Sequence, residues 1–184
     1  MHMHYRPHFQ FCPLCGGGLK SIKLKENEPA RLVCSECDFI FYQDPKLAVC
    51  SIVEMNDKIV LLKRGIEPQL GKWVMPGGYV DQGEEVKVAA LRETEEECGL
   101  KIRIKNLLDV YSYPRRLVVV VAYVAEHLTG NLLIGDETEA VRLCGQEEIP
   151  WNDLAFPSTV DALRAYYSIK KIPKERNGRY DDNT

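Results

Sequence analysis

Six glutamates lie between residues 84 and 97, a stretch that has only one lysine and one arginine. Like charges at helical spacing destabilise a helix, so this density of carboxylates predicts a compensating cation. Carboxylate oxygens are ligands that Mg²⁺ and Mn²⁺ prefer, and such ions also bind substrate phosphates. A divalent cation polarises a phosphoryl oxygen and lowers the pKa of a bound water. The segment therefore indicates phosphoryl chemistry that is assisted by a divalent cation.

Residues 85–98 have the composition of a helix, with no proline or glycine among them. Asp81 is a candidate cap for the start of this helix, and Gly99 is placed to end it. Because successive helical residues rotate by about 100°, three carboxylates fall on one arc: Glu93, Glu96 and Glu97. Just before the helix, Gly77 and Gly78 allow the backbone to approach a metal or a phosphate without side-chain obstruction.

The simplest alternative for this segment is a solvated acidic surface, which is what most charge runs are. The fixed offsets from Gly78 to Leu100 argue against it, since they read G-x5-E-x7-R-E-T-x-E-E-x-G-L. This pattern resembles the Nudix box, G-x5-E-x7-R-E-U-x-E-E-x-G-U, in which U is usually a bulky aliphatic residue. Every fixed position matches except the first U, which is Thr94.

The resemblance implies an α/β fold of the α+β kind, the Nudix α/β/α sandwich with a mixed sheet, in which this loop–helix–loop carries the metals. It implies that the box supplies the ligands of Mg²⁺ or Mn²⁺, namely Glu93, Glu96, Glu97 and a carbonyl of Gly77 or Gly78. It also assigns Glu84 and Arg92 to a structural salt bridge that holds the loop against the helix.

Hydrolysis further requires a base that deprotonates or orients the attacking water. In Nudix enzymes this role falls to a glutamate of the box or to an acid on a later loop. The loop GDETE, residues 135–139, offers Glu137 and Glu139, and Glu97 is the alternative within the box. Since an acidic surface loop would have the same composition, the sequence leaves the identity of the base open.

Four cysteines near the amino terminus follow the spacing C-x2-C-x18-C-x2-C: Cys12, Cys15, Cys34 and Cys37. This spacing is typical of a structural Zn²⁺ site, in which four thiolates complete a tetrahedron. A segment of about 40 residues buries too little surface to fold alone, so a metal is expected to stabilise it. The segment resembles a zinc ribbon. The alternatives are two disulfides in a secreted protein, or ligands from His2, His4 or His8.

The composition is that of an ordinary globular protein, with 184 residues, 45 % hydrophobic and 28 % charged, and a net charge of −3. The acidic balance disfavours a general nucleic-acid-binding surface. The longest apolar stretch has the length of a strand, so no membrane span is expected. The amino terminus lacks the apolar core of a signal peptide, so we expect a cytoplasmic protein.

The order of the motifs predicts three segments: a zinc ribbon in residues 1–44, a Nudix domain in 45–173 and a polar tail in 174–184. In the second segment we expect a hairpin over residues 47–63, a central strand over 117–125 and an amphipathic helix over 159–169. The buried face of that helix is predicted to comprise Val160, Leu163, Tyr167 and Ile169.

A zinc ribbon ahead of a Nudix domain resembles the NADH pyrophosphatases, but their S-Q-P-W-P-F-P-x-S element is absent here. Three stretches instead resemble a bacterial and plastid group that includes FAD and ADP-ribose pyrophosphatases: CSECDFIFYQDPKLAV, IEPQLGKWVMPGGYVDQGE and EEIPWNDLAFPSTVDALRAYY. This implies a Mg²⁺-dependent pyrophosphohydrolase that releases AMP from FAD or ADP-ribose. NADH, a nucleoside triphosphate, and a sensor without catalysis are the alternatives, although sensors of this family usually lose their box carboxylates.

Four residues are candidate contacts to a nucleotide-containing small molecule: Trp73, Tyr79, Arg115 and Arg116. The two rings could stack on a base or a flavin, and the two arginines could hold a phosphate from a turn. Core packing for the rings and a solvated turn for the arginines are the alternatives. We expect no nucleic-acid or membrane partner, and a homodimer is left open.

Overall fold

The computed structural model describes residues 9–170. The chain divides into two compact units, with the boundary between Asp44 and Pro45. The three amino-terminal histidines, the last residues of the predicted second domain and the predicted polar tail lie outside the described residues. Within residues 9–170, no helix combines the length and the apolar character that a membrane crossing requires.

The first unit is a three-stranded antiparallel sheet in the order β1-β2-β3. Its strands are β1 (Leu19–Ile22), β2 (Arg31–Cys34) and β3 (Ile40–Phe41). Among its described residues, the buried hydrophobic side chains are Cys12, Val33 and Cys34. Because one valine and two cysteines do not make a hydrophobic core, this unit needs another source of stability.

The second unit is built on one mixed sheet of seven strands. These are β4 (Lys46–Met55), β5 (Lys58–Arg64), β6 (Trp73–Val74), β7 (Gly77–Tyr79), β8 (Lys101–Tyr111), β9 (Val118–Thr129) and β10 (Thr138–Cys144). The order is β10-β5-β4-β9-β8, with β6 paired to β5 and β7 paired to β4. Strands β4 and β9 run parallel at the centre, and the other pairs are antiparallel.

Two helices cover opposite faces of this sheet, α1 (Val86–Cys98) and α2 (Pro157–Lys170). Side chains alternate between the faces of a strand, and β4 shows this clearly. Val49 packs with Ala89 and Ala90 of α1, whereas Ile52 packs with Leu163 of α2. The unit is therefore an α/β/α sandwich, as the resemblance implied.

The predicted helix cap at Asp81 is wrong. Helix α1 is preceded by Glu85 at its cap position, and no side chain caps it. The Asp81 carbonyl instead accepts a hydrogen bond from the Glu84 N–H at 3.0 Å, and the Asp81 N–H donates to the Glu84 carboxylate at 3.1 Å. Asp81 and Glu84 therefore close a turn before the helix begins. The predicted stop is where the helix ends, with Gly99 at φ 72°.

Thr94, the departure from the box pattern, is fully buried in α1. Its hydroxyl donates to the carbonyl of Ala90 at 2.8 Å, so its polar group is satisfied inside the helix. The buried set predicted for α2 is wrong at Ile169, which is 58 % exposed. The helix faces the sheet through Ala162, Leu163 and Tyr166, and the Tyr166 hydroxyl donates a hydrogen bond to the Glu54 carboxylate at 2.6 Å.

Candidate active site

Strand β7 brings the two glycines of the site against the central strand β4. Gly77 pairs with Cys50 across the ladder. A side chain at Gly77 would lie 2.1 Å from the Val49 carbonyl oxygen, and Gly77 has φ 156°. Only glycine fits this close approach between two backbones. The sequence identified the two glycines as an unobstructed approach, but it did not predict that they form a strand.

Glu97 lies at the point where α1 meets β7. Its carboxylate accepts a hydrogen bond from the Gly77 N–H at 2.7 Å. The pKa of Glu97 is raised to about 7, chiefly by burial and also by the nearby carboxylates of Glu93 and Glu137. The Gly77 N–H and the charge of Arg64 act in the opposite direction. Glu97 is thus a half-buried carboxylate in a region of negative charge.

Glu93 occupies the space that the missing side chain of Gly78 leaves. A Cβ atom on Gly78 would lie 2.4 Å from the Glu93 carboxylate. Burial raises the pKa of Glu93, and its ion pair with Arg92 partly opposes this effect. Both glycines therefore have a role at the site, since Gly77 makes room for backbone and Gly78 makes room for a carboxylate.

Arg92 is the centre of an ion-pair network on the exposed side of α1. It donates to both carboxylate oxygens of Glu84 at 2.8 Å, and it holds the pKa of Glu84 down at about 2. Its Nη1 also donates to Glu93 at 2.8 Å and to Glu96 at 3.1 Å, and its Nη2 donates to the Tyr79 carbonyl at 3.1 Å. Arg92 therefore ties the turn before the helix, the helix and β7 together.

The donor set fits a hard divalent cation. Glu93 and Glu96 share one guanidinium, while among residues 9–170 the Glu97 carboxylate has only the Gly77 N–H as a hydrogen-bond donor. The three carboxylates do not converge as closely as ligands of one ion would; in residues 9–170, only the four cysteines form such a group.

The loop after β9 docks on the carboxyl end of α1. Gly135 donates its N–H to the Glu97 carbonyl at 3.1 Å, and Leu133 donates to the Cys98 carbonyl at 3.0 Å. This contact places Glu137 close enough to Glu97 to affect its pKa. Glu139 instead pairs with Lys63 at 2.9 Å. Of the two candidate bases on this loop, the structure brings Glu137 to the box.

The four candidate nucleotide contacts have different surroundings. The Trp73 ring packs against the core between the sheet and α2, with the Arg142 guanidinium 5.9 Å from its centroid. Tyr79 is 51 % exposed at the end of β7. Arg115 and Arg116 lie in the turn between β8 and β9, where Arg115 has φ 65°. Strand pairing puts this turn and Tyr79 at the same end of the sheet, where β4 begins.

Arg64, which the sequence interpretation did not single out, is a cation at the end of β5. It lies opposite Thr138 in the pairing of β5 with β10, and its charge lowers the pKa of Glu97. In the sequence, Arg64 could have been noticed as a basic residue that ends an apolar strand shortly before Gly77 and Gly78. That signal is weak, because a strand end is also a common place for a solvated arginine.

The four amino-terminal cysteines form a compact cluster of sulfur atoms. All four Sγ atoms lie within 4.8 Å of one another, and none of the seven cysteines is in a disulfide. Backbone N–H groups of Leu14, Gly17 and Glu36 point at three of the sulfurs at 3.4 Å. Four thiolates bound to Zn²⁺ at about 2.3 Å would be separated by similar distances. The cluster fits a closed tetrahedral metal site.

Comparison with known sequences identifies both units. The family model described as the NUDIX domain matches residues 44–166, and the zinc-ribbon model described as Nudix N-terminal matches residues 10–43. A protein of Methanocaldococcus jannaschii named ADP-ribose pyrophosphatase is 37 % identical over 119 residues, which cover 62 % of this chain and 69 % of that protein.

Two further relatives extend the comparison. A protein of Enterobacter sp. named NAD-capped RNA hydrolase NudC is 28 % identical over 131 residues, which cover 71 % of this chain and 48 % of that protein. This chain therefore matches about half the length of that relative. The crystal structure of a NUDIX hydrolase from Nitrosomonas europaea has a TM-score of 0.82 and 38 % identity, over 87 % of this chain and 91 % of that one. Since the NUDIX model matches residues 44–166, more than half of the chain, the chain belongs to the Nudix hydrolase family.

Proposed function

We propose that this Nudix hydrolase is a Mg²⁺- or Mn²⁺-dependent pyrophosphohydrolase that cleaves ADP-ribose or FAD and releases AMP. The observation that carries the proposal is the complete carboxylate set of α1, with Glu97 seated against Gly77 and Glu93 against Gly78. The relative named ADP-ribose pyrophosphatase supports ADP-ribose as the first substrate to test.

The residues that would hold the cation are Glu93, Glu96 and Glu97, with a carbonyl of Gly77 or Gly78. When bound, the ion supplies positive charge that polarises the phosphoryl oxygens and acidifies the attacking water. Arg92 would remain with Glu84, since that pair has two parallel hydrogen bonds. Glu84 and Arg92 then keep the turn and the helix in place while the other carboxylates change partner.

Glu137 is our choice for the base, because its loop docks on the carboxyl end of α1 and Glu139 is already paired with Lys63. Glu137 would accept a proton from the water that attacks one phosphorus of the diphosphate. A new P–O bond then forms to the water oxygen, and the bond from that phosphorus to the bridging oxygen breaks. For ADP-ribose the products are AMP and ribose 5-phosphate.

In the first unit we assign Zn²⁺ to Cys12, Cys15, Cys34 and Cys37. Four thiolates leave no open coordination position, so this metal would be structural rather than catalytic. The relatives named NAD-capped RNA hydrolase make an NAD-type dinucleotide the second candidate substrate. We place this candidate below ADP-ribose and FAD, because the S-Q-P-W-P-F-P-x-S element of the NADH pyrophosphatases is absent from the sequence.

The proposal is tested by incubating the protein with Mg²⁺ and, separately, ADP-ribose, FAD, NADH and a deoxynucleoside triphosphate, followed by product analysis. We expect AMP from ADP-ribose or FAD, and no turnover by Glu96→Gln. Glu96 is exposed, so this variant should fold like the wild type. Equal turnover by the variant would contradict the metal assignment. Release of pyrophosphate from the triphosphate alone would indicate a nucleoside triphosphate hydrolase. Ligand binding without turnover would favour a sensor.

The two glycines of the site should respond differently to alanine. In Gly78→Ala the new Cβ meets the end of the flexible Glu93 side chain, so we expect a folded protein with turnover lowered roughly 10- to 100-fold. In Gly77→Ala the new Cβ meets the backbone of β4, so we expect a loss of stability of at least about 2 kcal/mol. Urea unfolding and initial rates of ADP-ribose hydrolysis distinguish the two, and wild-type turnover by Gly78→Ala would refute the placement of Glu93.

Glu137→Gln and Glu139→Gln separate the two candidate bases. We expect Glu137→Gln to lower kcat roughly 100- to 10,000-fold, because the amide cannot accept the proton. Glu139→Gln removes an exposed ion pair with Lys63, whose effect on stability is within about 1 kcal/mol, and most of the activity should remain. The check is kcat at saturating ADP-ribose across pH 6 to 9, and the reverse ranking would assign the base to Glu139.

A further inference from the structure

Ser51 of β4 is a completely buried polar residue, with 0 % exposure. Its N–H donates to the Pro76 carbonyl at 2.9 Å, but its hydroxyl has no hydrogen-bond partner within residues 9–170. Burying a polar group without a partner is unfavourable, and folded proteins keep few such groups. A serine at this position therefore needs a reason that packing does not supply.

The spacing of buried contacts places Ser51 beneath the middle of α1. Its neighbours on the same face of β4 are apolar, since Val49 packs with Ala90 and Val53 packs with Cys98. Two residues advance a strand by about 6.6 Å, and four residues advance a helix by about 6 Å. Because the two spacings match, Ser51 lies under the helix midway between these two contacts.

Thr94 and Glu97 are the residues of α1 nearest to this point. Thr94 is fully buried, and its hydroxyl already donates to a carbonyl of the helix at 2.8 Å. Glu97 follows three residues later and is its neighbour on the helix surface. The Glu97 carboxylate accepts from the Gly77 N–H at 2.7 Å, and this N–H belongs to the same peptide unit as the Pro76 carbonyl. One peptide unit thus connects the Ser51 backbone to the Glu97 carboxylate.

The side chains of Ser51 and Glu97 are complementary as hydrogen-bonding groups. A carboxylate can accept about four hydrogen bonds, whereas the Glu97 carboxylate receives only that of the Gly77 N–H from the residues that the structure describes. The Ser51 hydroxyl has a hydrogen to donate and no acceptor among the same residues. A buried donor without an acceptor therefore lies beside a carboxylate that can accept further donors.

From this arrangement we infer that Ser51 is a positioning residue of the site, whose hydroxyl donates to the Glu97 carboxylate directly or through one buried water. The inference rests on the proposed function and adds to the site a residue outside the box. Hydrogen bonds to a ligating carboxylate fix its orientation and strengthen metal binding. Ser51 would therefore act on the cation through Glu97, without contact to the ion or the substrate.

The test uses the full-length protein, with Ser51→Ala, Glu97→Gln, the double variant and the control Thr94→Val. Thr94 is a matched control, because its hydroxyl is equally buried but has its own partner within the helix. Binding of Mn²⁺ alone is measured by electron paramagnetic resonance, and kcat and KM are measured for ADP-ribose. We expect Ser51→Ala to weaken Mn²⁺ binding roughly 10- to 100-fold and to lower kcat with little change in KM. Thr94→Val should match the wild type.

The double variant tests whether Ser51 acts through Glu97. In the Glu97→Gln background, Ser51→Ala should cause no further loss of Mn²⁺ affinity, because the carboxylate that Ser51 positions is gone. Without divalent cation, Ser51→Ala should melt no lower than the wild type, whereas a residue with only a structural role would lower the melting temperature. Ser51→Cys, which is similar in size but a weaker donor, should show an intermediate loss and serves if the alanine variant does not fold.

The outcomes separate this inference from the proposed function. Weaker Mn²⁺ binding by Ser51→Ala, without ADP-ribose turnover by the wild type, would contradict the proposed function and leave Ser51 as the residue that positions Glu97. Equal Mn²⁺ affinity in wild type and Ser51→Ala, the same loss in both backgrounds, or no Mn²⁺ binding by the wild type would overturn the inference.

Discussion

Glu97→Gln is expected to abolish hydrolysis and, without divalent cation, to make the second unit more stable above pH 7. The loss of activity follows from removing a charged ligand beside Gly77, and we expect kcat to fall at least about 1,000-fold. The gain in stability follows from the burial of the same carboxylate. The pKa of Glu97 is raised from 4.5 to about 7, so its charged form is disfavoured in the folded protein.

The direction of the pH dependence follows from this shift. The folded state binds the proton more tightly than the unfolded state, so stability falls as the pH rises from about 4.5 to about 7. Above pH 7 the full cost is present, roughly 3 kcal/mol as an upper estimate. Glutamine cannot ionise, so the variant avoids this cost, and its advantage over the wild type should be absent near pH 4 and largest near pH 8.

Both tryptophans, Trp73 and Trp151, belong to the second unit, so urea unfolding followed by their fluorescence reports on that unit. Adding Mg²⁺ at pH 8 should stabilise the wild type more than Glu97→Gln, because the variant has lost one of the three carboxylates that would hold the ion. Glu95→Gln is the matched control, since Glu95 is an exposed glutamate of the same helix. A variant that is no more stable than the wild type at pH 8, or that responds to Mg²⁺ equally, would contradict the role given to Glu97.

The sequence was sufficient for the parts of this site that depend on local spacing. The helix of residues 86–98, its end at Gly99 and the ion pair of Glu84 with Arg92 all arise within one short segment. The box pattern fixes the spacing of these residues, and the geometry of a helix then determines which of them can meet. The predicted cap at Asp81 is wrong even so, because Asp81 forms a turn with Glu84 before the helix begins, and the Glu84 carboxylate in this turn also pairs with Arg92.

The remaining features depend on contacts between distant segments. The choice of Glu137 over Glu139 depends on the docking of Gly135 on the end of α1, about 40 residues earlier in the chain. Periodicity alone could not place Arg64 beside the box, since this needs the pairing of β5 with β10. Likewise, the spacing predicted that Ile169 is buried, whereas α2 packs on the sheet through Ala162, Leu163 and Tyr166.

Cys34→Ala is expected to remove zinc from the protein and to unfold residues 9–44. Cys34 is 1 % exposed, and its sulfur lies 3.4 Å from that of Cys15. Since Val33 is the only buried aliphatic side chain in the described part of this unit, hydrophobic burial cannot replace the metal. Zinc binding by small four-ligand modules is worth about 10–16 kcal/mol at neutral pH, and this energy is also their folding energy.

The measurement is zinc content by mass spectrometry together with amide NMR signals of residues 9–44. Ser35→Ala is the control, because it lies between two ligands and loses only the hydrogen bond to the Gly18 carbonyl; it should retain one zinc per chain and the signals. Tryptophan fluorescence should show that the second unit of Cys34→Ala stays folded, since both tryptophans and the large core belong to it. Retained zinc and dispersed signals in Cys34→Ala would mean that three ligands suffice. That result would contradict the claim that this unit depends on all four cysteines for its folding.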